Sequence, residues 1–194
     1  MRRIALLMVL TIALCAAAAA DYAPGTDYMA RMMEAVQAGD ASAGREAEAR
    51  RAEKIAALGL PYAEIAYEDL ALLSKIVEAE AGSSWLDLEW KMSVGEVVLN
   101  RVASPEFPDT LRAVIDQPGQ YYGPDSRYLA SLLPSAASVE AAARLLNGER
   151  VLCEPSVVFQ ANARLGSGVF RELRDSLLGS TYLCYSSRPE LYEA

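Results

Sequence analysis

Between Asp69 and Val102 the apolar positions recur at helical spacing in two consecutive runs that meet at Ala81-Gly82-Ser83. In the first run Leu70, Leu73, Ile76 and Val77 make one face, and Glu80 falls within about 60° of Leu73, Ile76 and Val77. Glu78, two residues earlier, is rotated by about 200° toward the solvated side. Gly82 is expected to end this helix in the left-handed conformation, which puts Glu80 in its last turn. Ser84 is expected to cap the second helix, with Asp87 three residues on in a capping-box-like arrangement. Trp90, Met92, Val94, Val97, Val98, Leu99 and Val102 then make that helix apolar around most of its circumference, so it should be central. Ser93 and Gly95 let a neighbour approach it closely, and Glu96 lies in angle near Met92 and Leu99.

Elsewhere the pattern is simpler. Residues 21–62 read as a helical hairpin with a charged second arm, closed by the breaker Gly59-Leu60-Pro61-Tyr62, after which a second region runs from 63 to 194. Asp109 or Thr110 should cap a short helix through Ile115, and Ser138 a helix running to Asn147. Val157–Ala161 and Thr181–Tyr185 have strand composition and are expected to pair as a small antiparallel sheet, with glycine-rich Leu165–Val169 as a loop between them. The fold class expected is α+β, mostly α, preceded by the hairpin.

The placement of Glu80 bears on chemistry. Apolar neighbours and the negative end of a helix dipole both disfavour an ionised carboxylate, and a carboxyl group with a raised pKa can donate a proton near neutral pH. Glu80 is therefore the candidate general acid; a helix-end glutamate that caps or pairs with Lys75 or Lys91 is the structural alternative. Glu96 is the secondary candidate, against a role as a paired structural acid. The segment from Gln117 to Pro124 places Gln117, Gln120, Tyr121 and Tyr122 on a constrained loop, where amides can hydrogen-bond and aromatic faces can stack on a ligand; an ordinary turn with its tyrosines packed on the core is the alternative. Phe159, Gln160 and Asn162 are further candidates to line the same cleft.

Composition narrows the classes. The opening MRRIALLMVLTIALCAAAAA has two arginines before an apolar run and ends in small residues, as an export signal over 1–20 does. A retained anchor is the alternative, although the run falls short of a comfortable span of about 20 residues. Removing the signal takes two arginines and no acid, so the net charge moves from −8 to −10. Nucleic acid and anionic membrane are poor partners for such a chain. Histidine is absent, which excludes Ser-His and Cys-His nucleophiles and the usual zinc sites; no metal or other cofactor is expected. Cys153 and Cys184 are expected to form a disulfide in an exported protein, two buried free thiols being the other possibility.

Four motifs occur in order: Glu80-Ala81-Gly82 at a helix end, Val98-Leu99-Asn100-Arg101-Val102, Ser104-Pro105-Glu106-Phe107-Pro108-Asp109-Thr110 and Gln117-Pro118-Gly119-Gln120-Tyr121. Together they resemble the cell-wall hydrolase family that includes the spore cortex-lytic enzyme SleB, over about Asp69 to Tyr185. Where many relatives carry Arg-Gly-Glu, this chain has Gly82-Ser83-Ser84. The resemblance implies a lysozyme-like domain that cleaves peptidoglycan glycan strands, with the catalytic glutamate at Glu80. Relatives with one such glutamate are lytic transglycosylases, which implies anhydro-sugar products. The expectation is a monomeric enzyme of the cell exterior or wall, acting in wall or spore-cortex turnover; the rival is a glycan-binding or spore-associated protein that kept the fold and lost the chemistry.

Overall fold

The computed structural model describes residues 27–58, 64–123 and 126–192. The expected export signal and the breaker Gly59 to Tyr62 lie outside these. The chain divides into two compact units, Met1–Tyr67 and Glu68–Ala194.

The first unit is a helical hairpin of α1 (Tyr28–Ala38) and α2 (Ala41–Leu58). Asp27 caps α1 by accepting the Met29 N–H at 2.9 Å, and Gly39 closes it at φ 67°, the left-handed turn that glycine adopts without a Cβ clash. Asp40 then caps α2 through the N–H groups of Ser42 and Ala43 at 3.1 and 3.0 Å. Met29, Met32, Ala35 and Val36 are the buried residues of α1.

The second unit contains α3 (Tyr67–Ala81), α4 (Leu88–Ala103), α5 (Leu111–Ile115), α6 (Arg127–Ser131) and α7 (Ala136–Leu146). They are followed by β1 (Val157–Ala161), β2 (Val169–Asp175), β3 (Gly179–Tyr185) and a 3-10 turn at Pro189–Leu191. The fold is mostly α with a small antiparallel sheet, as the patterning indicates. Leu70, Leu73, Ile76 and Val77 are each 0% exposed on the inward face of α3. α4 is central: it packs on α7, on β1 and on α5, and its Gly95 lies against Leu145 of α7 and Val77 of α3. A Cβ there would come within 2.5 Å of Leu145 and 3.2 Å of Val77. Val97 of α4 lies beneath the sheet in a cluster with Leu152, Val157 and Leu183.

The sheet order is β1-β3-β2, both pairings antiparallel, with Gln160 opposite Leu183 and Ala161 opposite Tyr182. β1 and β3 pair as expected. β2 was hidden because Val169–Asp175, with Arg171, Glu172, Arg174 and Asp175, reads as polar; it is an edge strand that leaves these charges partly in water.

Several local expectations are corrected. Gly82 does not adopt a positive φ; its lack of a side chain is used instead for close approach, since a Cβ would lie 2.3 Å from the Glu78 carbonyl oxygen. The N-cap of α4 is Asp87, which accepts the Trp90 N–H at 2.8 Å, while Ser83 and Ser84 form the preceding turn. The N-cap of α7 is Ser135, and Ser138 lies inside the helix. Thr110 is the cap of α5.

Cys153 and Cys184 are free thiols and do not form the expected disulfide. Cys153 stands in the left-handed region at φ 54°, its N–H directed onto Glu96 at 3.0 Å and the residue exposed. Cys184 is buried in the middle strand, its Sγ accepting the Leu165 N–H at 3.4 Å. One cysteine thus faces solvent and the other the interior.

Candidate active site

Glu80 is the penultimate residue of α3, and the segment that follows is held by a cation. Lys91 of α4 is 1% exposed and donates its ammonium hydrogens to the Ala81 carbonyl and, at 3.3 Å, to the Ser83 carbonyl. A positive charge satisfying the last carbonyls of a helix both completes its hydrogen bonds and opposes the negative dipole end. Burial holds the Lys91 ammonium below its usual range, with the Glu78 charge acting the other way. Lys75 donates to the Ala130 carbonyl at 2.8 Å. Neither lysine therefore pairs with Glu80 as the structural alternative required.

The two glutamates of the Glu78-Ala79-Glu80 triplet have different surroundings. Glu78 is not simply solvated: its Oε2 accepts the Ser135 N–H at 2.9 Å, the Ser135 hydroxyl at 2.6 Å and the Ser138 hydroxyl at 2.7 Å, joining α3 to the start of α7. Burial raises its pKa, but the bonds from Ser135 and Ser138 outweigh it and hold the carboxyl below the ordinary range. Glu80 keeps an accessible side chain and accepts one long hydrogen bond, from the Gln160 amide at 3.4 Å. The residue is exposed, yet neighbouring protein atoms displace part of its hydration. This loss of hydration raises its pKa, and the Arg101 guanidinium partly offsets the rise.

Arg101 joins most of the candidate residues. It is 5% exposed, donates from Nε to the Val158 carbonyl at 2.6 Å and from Nη1 to Gln120 Oε1 at 2.9 Å. Its guanidinium lies 5.1 Å from the Phe107 ring, 5.2 Å from Tyr121 and 5.9 Å from Phe159. Tyr121 is pushed up to about 12, by burial first, with Arg101 opposing and Glu80 adding to the shift. Tyr122 donates to the Ala79 carbonyl at 3.4 Å and packs on Tyr128 with centroids 5.2 Å apart. Burial, then the Glu80 charge, raises its phenol as well.

The structure therefore gathers Glu80, Gln120, Tyr121, Tyr122, Phe159 and Gln160 around Arg101 and the end of α3. Gln117 is half-buried, and its Oε1 is enclosed without a partner. Asn162 is exposed one residue past β1. Glu96 is not brought to this groove: it is 1% exposed, and its carboxylate accepts the N–H groups of Val151, Leu152 and Cys153 at 2.6, 2.9 and 3.0 Å. A concavity of about 470 Å³ lies instead in the helical hairpin, lined by Tyr28, Arg31, Glu34 and Arg50 among others, and includes none of these residues.

Sequence reasoning missed the roles of Arg101, Lys91 and Asn100, the last of which donates to the carbonyls of Glu154 and Val157 at 3.0 Å each. The available signal was a set of polar side chains, Lys91, Asn100 and Arg101 among them, inside a largely apolar helix, which must find partners once buried.

No curated protein and no solved structure matches the chain. Residues 87–172 match the family model described as Cell Wall Hydrolase, a stretch that includes Arg101, the Gln117–Tyr122 loop, Phe159 and Gln160 and begins beyond Glu80. That match, on the region that builds the groove, supports the cell wall hydrolase family for this chain and a peptidoglycan-related hydrolytic function for the domain.

Proposed function

We propose that the second unit is a lysozyme-like peptidoglycan glycosidase in which Glu80 is the general acid, acting on the β-1,4 bond between N-acetylmuramic acid and N-acetylglucosamine. The observation that carries this reading is the state of Glu80 relative to its neighbours. Glu78 is bonded to Ser135 and Ser138, Glu89 to Arg171 at 3.0 Å, and Glu96 to three backbone N–H groups. Glu80 is exposed, accepts only the long bond from Gln160, and has its pKa raised by loss of hydration.

A glycosidase that works by water attack uses two carboxylates of defined separation. With Glu80 the one acid assigned here, a lytic transglycosylase outcome is favoured. Glu80 donates its proton to the bridging oxygen as the bond from that oxygen to the muramyl anomeric carbon breaks. The same sugar's C6 hydroxyl attacks the oxocarbenium-like centre, and the Glu80 carboxylate takes the hydroxyl proton. The products are a free 4-hydroxyl end and a 1,6-anhydro-muramyl end, and Glu80 is again protonated. Tyr121, Tyr122 and Phe159 offer apolar faces and Gln117, Gln120 and Gln160 amides to the sugars. Asn162, exposed just past β1, is proposed as a further sugar contact. The chain is proposed to be exported through its N-terminal signal, and the hairpin to be an accessory element.

Mass spectrometry of muropeptides released from purified sacculi tests the outcome. Anhydro-muramyl ends are expected; reducing ends alone would make the enzyme a hydrolase and require a second acid.

A further inference from the structure

The groove around Glu80 is made by three segments far apart in sequence: the end of α3, the loop Gln117–Tyr122 and strand β1. One side chain touches two of them directly and bears on the third. We propose that Arg101 is the positioning residue of this groove, its buried guanidinium joining the Gln117–Tyr122 loop to β1 beside Glu80. This inference rests on the reading of Glu80 as the acid.

The geometry uses what is particular to a guanidinium. Nε and Nη1 lie in one plane and point at acceptors on different segments, Val158 O at 2.6 Å and Gln120 Oε1 at 2.9 Å. The ring contacts with Phe107, Tyr121 and Phe159 lie within 5.1 to 5.9 Å and come from the turn after α4, the loop and β1 respectively. A lysine keeps the charge but not the fork or the flat surface. Loss of the fork should therefore loosen the loop without changing the field on Glu80, and loss of the charge should change the field.

Among the described residues, three elements bring charged, titratable or polar groups toward Glu80. α4 contributes Arg101, the loop contributes the phenols of Tyr121 and Tyr122, and β1 contributes the uncharged Gln160. On its own helix Glu78 is bonded to Ser135 and Ser138, and Lys91 is bonded to the carbonyls of Ala81 and Ser83. Arg101 is the cation whose field lowers the pKa of Glu80.

The test is a pH–rate profile with kcat and KM separated, on soluble glycan fragments, for the wild type, Arg101→Lys, Arg101→Gln and Glu80→Gln. Arg101→Lys is expected to raise KM about tenfold, the size of one lost charge-assisted hydrogen bond, with kcat and the alkaline limb unmoved. Arg101→Gln is expected to move the alkaline limb to higher pH. Wild-type KM in Arg101→Lys overturns the inference, and so does an unmoved limb in folded Arg101→Gln. Should Arg101→Gln not fold, Arg101→Lys decides alone. An active Glu80→Gln would refute the acid assignment itself, whereas an inactive Glu80→Gln beside a wild-type-like Arg101→Lys refutes only the role of Arg101.

Discussion

Glu78 and Glu80 sit two residues apart on α3, and their carboxyl groups are shifted in opposite directions. For Glu80, loss of hydration raises the folded-state pKa above the unfolded value, so ionisation opposes folding once the pH passes the unfolded value. Below both values the group is neutral in both states and the penalty vanishes. Glu80→Gln is therefore expected to raise the thermal midpoint at pH 7, with the difference shrinking as pH falls through the raised folded value and gone below the ordinary carboxylate value; calorimetry across pH checks it. Activity should fall as pH rises through the raised pKa, because a general acid must be protonated. Glu78 works the other way: its contribution to stability is present above the unfolded carboxyl value and lost as pH falls through the depressed folded value. Glu78→Ala removes three hydrogen bonds between α3 and α7 and should cost about 1–3 kcal/mol in urea denaturation at pH 7. The two thiols should separate equally clearly. In the folded protein Cys153 should react with a maleimide at once and Cys184 only after denaturation, and reductant should leave the thermal midpoint unchanged.

Among the elements, α4 determines the most. Its apolar residues fill the space under the sheet, and its buried polar residues tie down irregular backbone: Lys91 the segment after α3, Glu96 the residues before β1, Asn100 and Arg101 the start of β1. Gly95→Ala would push a methyl group into Leu145 and Val77, and should destabilise by about 1–3 kcal/mol despite alanine's better helix propensity. A denaturation curve with an unchanged midpoint would contradict the packing described. The helical pattern made α3, α4 and the need for a small residue at Gly95 legible in the sequence, because a buried face leaves a period. The hairpin and the β1–β3 pairing were legible for the same reason. What escaped were features that local pattern does not encode. β2 is a partly exposed edge strand with a polar composition; Glu78 finds its partners on α7, 57 and 60 residues away. The convergence on Arg101 depends on the tertiary meeting of a loop and a strand. The disulfide failed because an even number of cysteines carries no information about which way each side chain faces.

At the scale of the whole molecule the chain carries a formal charge of −8, so it has no general electrostatic attraction to the anionic polymers of a bacterial wall. On the proposed function, recognition of the glycan falls to the amides and rings gathered near Glu80 and Arg101. Among the described residues no helix is long and apolar enough to cross a membrane. The cell wall hydrolase match covers α4, the loop, β1 and the first residues of β2, and the acid proposed here lies just ahead of it, on the helix that α4 anchors through Lys91. The most direct test is release of soluble fragments from purified sacculi by the mature protein and by its Glu80→Gln variant, with circular dichroism confirming that both are folded. The account predicts a loss of about 10²- to 10⁴-fold in rate for the variant, the usual contribution of a positioned general acid. Undiminished release by Glu80→Gln would contradict it.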